Sequence, residues 1–171
     1  MSLAVRKITF SKWNQRKILE GELPSADAIT NCMKTTRNTL STWLIADPTE
    51  LEDAVLAIIS PFKSLDTIDV VTIELSLLQD NNLELKASPG ITHYAAFRDK
   101  HHDISNLDYD SLGRAANVIV TSIKQNSRVR FTHAKLKKIL LQGIDDGKII
   151  ETELDESLQE KIDAYRQSIC T

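Results

Sequence analysis

His93, His101 and His102 stand close together in the chain, with Asp99 and Asp103 beside them. Imidazoles and carboxylates at this density are the raw material of a metal site or an acid–base pair. Whether they meet depends on the element that carries them. If Thr92 caps a helix, Tyr94, Phe97, His101 and Ile104 form its inner face, and Asp99, His102 and Asp103 share the outer one at i, i+3, i+4. If the segment is extended, His101 and His102 point to opposite sides. Ordinary packing of a half-buried His101 is the plainer reading. The catalytic candidates are His93, His101, His102 and Asp103, and no metal or cofactor is expected.

A second chemistry lies in the charges. No acidic residue occurs between Ser111 and Ile144, while Arg114, Lys124, Arg128, Arg130, Lys135, Lys137 and Lys138 all do. Residues 6–17 repeat the pattern with Arg6, Lys7, Lys12, Arg16 and Lys17. The net charge of -3 therefore hides two basic segments, 6–17 and 124–138, in an acidic remainder. Arg128, Arg130, Lys135, Lys137 and Lys138 are candidates for contact with nucleic-acid phosphates, helped by the N-terminus of a helix capped by Thr132. The opposing reading is a solvated helix face neutralised by acidic residues 145–163. An acidic isoelectric point and 5% aromatic content favour that second reading.

Trp13, in the polar run Lys12-Trp13-Asn14-Gln15-Arg16, is either an exposed contact residue for a protein partner or part of the core; Trp43 reads as core. Cys32 and Cys170 fit no metal or redox spacing. Cys32 falls on the apolar face of a helix and reads as a buried reduced thiol, and Cys170 is expected to fray.

Several chemistries are excluded by motif. The five glycines, at 21, 90, 113, 143 and 147, permit no G-x-G-x-x-G loop. Gly143 to Ile149 is one residue short of a phosphate loop, and its Asp145-Asp146 pair would repel a phosphate. Neither G-x-S-x-G nor H-E-x-x-H occurs.

The elements that must position these residues alternate in type. Residues 4–10 read as a strand, a helix capped by Ser25 runs to Lys34, and residues 39–46 form a second strand. Asp47-Pro48-Thr49-Glu50 opens a helix carrying Leu51, Ala54, Val55, Ile58 and Ile59. Residues 68–75 form a third strand, apolar nearly throughout, and residues 79–106 are left irregular. Helices starting at Asp110 or Ser111, at Thr132 and at Asp155 fill the rest, with a short extended piece at 129–131. Strand–helix–strand alternation predicts an α/β or α+β fold: a small parallel or mixed sheet of three to four strands, flanking helices and a mainly helical C-terminal part.

With 42% hydrophobic and 26% charged residues the composition is globular, and 171 residues suit a single domain over 1–171. There is no membrane-length apolar run or export signal, so a cytoplasmic location is expected. Together these observations predict a soluble, non-enzymatic binding or regulatory domain acting through a protein interface, with a protein partner or its own copy. A nucleic-acid-associated protein using residues 6–17 and 124–138, and an enzyme with a His/Asp site in 93–103, are the alternatives.

Overall fold

The computed structural model describes residues 2–9 and 11–169; Phe10 and Cys170, which the sequence assigns to the first strand and to a fraying end, lie outside them. Six strands form one sheet: β1 (Leu3–Ile8), β2 (Leu40–Ile45), β3 (Ile68–Glu74), β4 (Glu84–Ala87), β5 (His101–Ser105) and β6 (Arg128–Phe131). Their order is β4-β5-β2-β1-β3-β6, and every neighbouring pair is antiparallel.

This corrects the small parallel or mixed sheet of three to four strands. Two of the extra strands, β4 and β5, come from the segment read as irregular. The expected parallel relation survives only between non-neighbours. β2 and β3 both run against β1, so they point the same way with β1 between them, and the helix α3 (Leu51–Ile59) is their crossover. Alternation of element types fixes neither the relative direction of two strands nor which strand lies between them: helical segments separate β1 from β2 in the chain, yet the two are antiparallel neighbours.

Helices cover both faces. Val5, Trp43, Ile45, Val70 and Phe131 turn toward α3, α6 (His133–Asp145) and α7 (Glu156–Ile169). Ala4, Ile8, Leu40, Val71, Ile73 and Ile104 alternate with them and turn toward the other layer: α1 (Gln15–Leu19), α2 (Ala26–Cys32), α4 (Leu75–Asp80) and α5 (Tyr109–Lys124). Val70, Val71 and Ile73 are fully buried, as their unbroken apolar run implies.

The caps are local and strong. Ser25 Oγ accepts from Ala28 N at 3.3 Å, and Thr132 Oγ1 from Lys135 N at 3.3 Å. Asp47 Oδ1 accepts from Thr49 N at 2.8 Å, but it opens a 3-10 turn, Pro48–Glu50, that leads into α3. The cap of α5 is Asp108, earlier than the expected Asp110 or Ser111: Asp108 Oδ1 accepts from Ser111 N at 2.7 Å, while Ser111 Oγ accepts from Asp108 N at 2.7 Å. Among the described residues no helix is long and apolar enough to cross a membrane.

The sheet is irregular at one end. The β1–β2 ladder holds three registered pairs, Leu3–Ile45, Ala4–Leu44 and Val5–Trp43, and stops. β1 continues to Ile8 against β3, and β2 begins at Leu40 against β5. At this end the two central strands part, and the sheet divides into a β4-β5-β2 half and a β1-β3-β6 half.

Candidate functional site

The parting is wedged by Arg6. By alternation Arg6 belongs with Ala4 and Ile8 on an apolar face, and it is 9% exposed. Its guanidinium lies across the seam, where Nη1 donates to Ser41 O at 2.7 Å and Nη2 donates to Cys32 O. Its buried Nε has no hydrogen-bond partner. The carboxylate felt electrostatically is Asp103, which forms no direct ion pair with Arg6. Burial pulls the guanidinium down to about 10, against the opposing pull of Cys32 and Asp103, so it stays charged at neutral pH.

Arg6 lines a cleft of about 810 Å³. Lys7, Lys34 and Arg37 line it too, with Asp103 as its acidic residue, and so do Trp43, Ile58, Phe62 and Ile91. The loop after β4 closes one side tightly. A Cβ added at Gly90 would fall 2.5 Å from Trp43 Cη2 and 2.7 Å from His101 Cβ, so glycine lets this backbone lie against the two rings.

Of the sequence candidates, His101 and Asp103 come together in this cleft. They share one face of β5, opposite Trp43 and Ser41 of β2. Trp43 and His101 meet edge to face at 4.9 Å. Asp103 is clamped by two hydroxyls, Ser41 Oγ at 3.1 Å and Ser88 Oγ at 2.7 Å. His101 Nδ1 lies 2.9 Å from Ser88 Oγ and 3.1 Å from Ser88 O. A carbonyl only accepts, so the proton sits on Nδ1. Ser88 therefore donates its own proton to the Asp103 carboxylate and faces no free imidazole nitrogen, so the Ser–His form of nucleophile activation is not assembled here.

His102 points the other way, as the extended alternative requires, with Nδ1 3.3 Å from Lys100 O. The helical alternative from Thr92 is overturned: a 3-10 turn over Ala95–Lys100 gives way directly to β5. His93 is placed by its backbone, whose N–H donates to Ser60 Oγ at 2.9 Å. Among the described residues no group of three or more His, Cys, Asp or Glu side chains is placed to hold a metal ion.

The basic segments lie mostly in opposite helical layers. Lys12 and Lys17, flanking α1 and within it, pair with Asp27 and Glu22 at 2.9 and 3.0 Å in one helical layer. Lys135 pairs with Glu52 at 3.0 Å and Lys137 lies over the Tyr165 ring at 4.6 Å, both on α6 in the opposite layer, and Lys138 lines a groove there with Arg166. Arg128 is held by the buried Asp69 at 2.8 Å. Burial pushes the Asp69 carboxyl up, and Arg128 and Arg130 pull it back down. Lys7 of the first segment and Arg130 of the second do line a shared hollow, with Phe62 and Asp69. Trp13 is fully buried and belongs to the core.

Sequence reasoning missed Ser41, Ser88, Lys34 and Arg37, and it counted Arg6 only as part of a basic run. One signal was available: Ala4, Arg6 and Ile8 share a strand face, with apolar neighbours on either side of the cation. Comparison with family models, with curated proteins and with solved structures gives no match for this chain.

Proposed function

We propose that this domain is a binding module that takes a small oxyanion, a carboxylate or a phosphate group, in the cleft where β1 and β2 part. The observation that carries the reading is Arg6: a guanidinium nine-tenths buried, held by two carbonyls and no acid, on the wall of a cleft that Lys7, Lys34 and Arg37 also line. Burying a charge without a counter-ion is costly, and a fixed anion site is the arrangement that makes use of it. Four cationic side chains against Asp103 leave the cleft positive.

The hydroxyl-clamped Asp103 favours binding over catalysis, since its two donors hold it in place and no free imidazole nitrogen faces Ser88. An interface anchored on Trp13 loses its anchor to the core. Cys32 is a free thiol, the state kept in the reducing cytoplasm, where we place the protein.

The test is thermal unfolding in phosphate against chloride at matched ionic strength, for wild type and for Lys34→Gln/Arg37→Gln. Both replaced side chains are exposed, so the fold is preserved. A midpoint that rises with phosphate in wild type, and rises clearly less in the double variant, is the expected result. An equal rise in both proteins would reduce the effect to general salting-out and overturn the reading.

A further inference from the structure

The cleft has two unlike walls. Arg6, Lys34 and Arg37 make the cationic side, while Ile58 and Phe62, at the end of α3 and just beyond it, face in with Pro89 and Ile91 from the β4–β5 connection. Ile91, a large apolar side chain, is 85% exposed at the rim. Phe62 is half-buried, and the Lys7 ammonium sits 4.6 Å from its ring centre, which holds a cation at the border between the walls. Clefts of about 300–1,000 Å³ hold organic ligands of drug size, whereas an inorganic oxyanion would occupy a small corner and leave the apolar wall wet.

We infer that the ligand is an amphipathic organic anion: an oxyanion head at Arg6, Lys34 and Arg37, and an apolar aryl or short acyl body against Phe62 and Ile91. This rests on the proposed anion site and adds the body. The head orients the ligand through charge-assisted hydrogen bonds, and the body contributes by removing Phe62 and Ile91 from water.

Calorimetric titration with two matched pairs of probes tests it: inorganic phosphate against phenyl phosphate, and acetate against benzoate. The aryl member of at least one pair should bind roughly tenfold or more tighter than its partner, a conservative gain for the added aryl carbons. Whichever pair responds identifies the head as phosphate or carboxylate. Ile91→Ser should cut the aryl gain severalfold and leave the small anion's affinity unchanged, Phe62→Ala should cut the aryl gain likewise while also releasing Lys7, and Lys34→Gln/Arg37→Gln should weaken both members alike. Ile91 is exposed enough that its variant keeps the fold even if Phe62→Ala does not.

Equal affinity within both pairs would overturn the apolar body while the anion site stands. An aryl gain that survives Ile91→Ser, and Phe62→Ala where that variant folds, would overturn its location. Binding of benzyl alcohol as tight as benzoate, or no binding by any anion, would overturn the anion reading itself and this inference with it.

Discussion

At the scale of single residues, Cys32 reports on the cleft. Its Sγ accepts from Thr9 N at 3.0 Å, its carbonyl accepts from Arg6, and the half-buried side chain lines the cleft beside the cations. A positive field concentrates negatively charged reagents and repels none of the neutral ones. In a Cys170→Ser background, the rate ratio of iodoacetate to iodoacetamide at Cys32 should therefore exceed that of a free cysteine, by roughly severalfold at low salt, and should fall as salt is added. A ratio no different from the free amino acid would mean that Asp103 cancels the cations. The same residues show what a sequence discloses about a site. His101 and Asp103 were legible as candidates by residue type, although the helical reading sets them on opposite faces and only the strand β5 brings them to one side. Ser88, Lys34 and Arg37 were not, because they reach the cleft from loops whose course is set by Gly90 packing on Trp43 and by left-handed backbone at Arg37 and Asn38.

At the scale of elements, five of the seven α-helices described were legible, α1 and α4 were not, and the sheet was only partly so. Caps are local: Ser25, Asp47 and Thr132 each act within three residues of themselves, so their sequences suffice. β4 and β5 carry no such mark. β4 is a short edge strand with one apolar residue facing the core, Leu85, and β5 reads His-His-Asp-Ile-Ser, whose burial is supplied by Trp43 and Leu40 across the sheet. Strand pairing is a long-range property, and neither segment has a local pattern strong enough to announce it. The cap of α5 also carries a pH signature. Hydrogen bonds from the Ser111 hydroxyl and backbone hold the Asp108 carboxyl below its usual range. A carboxyl depressed in the fold contributes stability above the unfolded-state value near 4, and that contribution is lost as pH falls through the lower folded value. Asp108→Asn keeps a side-chain oxygen to cap the helix but has no proton to take up. We expect it to unfold in urea near the wild-type midpoint at pH 7 and to lose less stability than wild type between about pH 5 and pH 2. Parallel acid profiles would show that the Asp108 cap does not depend on its charge.

At the scale of the molecule, the question is what holds two half-sheets together where their ladder ends. Arg6 spans that seam, and its two roles make opposite predictions. Holding the guanidinium down at about 10, well below its ordinary value, corresponds to a net cost on the order of 3 kcal/mol. At any pH below about 10 the folded and unfolded chains both hold the proton, so the full cost is carried; it is relieved only as pH rises through the folded value. Arg6→Met removes this cost and keeps most of the apolar stem. It also removes two bonds to the carbonyls of Ser41 and Cys32, a loss of about 1–3 kcal/mol, softened because both carbonyls belong to residues that line the open cleft and can take water. The terms nearly cancel. A residue kept for a ligand rather than for the fold should behave this way, so Arg6→Met should stay within about 1 kcal/mol of wild type in urea unfolding and lose its response to phosphate. Arg6→Ala, which also empties the stem's volume, should be clearly less stable than Arg6→Met. If Arg6→Met instead falls by about 3 kcal/mol or more, the guanidinium is a strut across the seam, and the cleft is the gap left beside it.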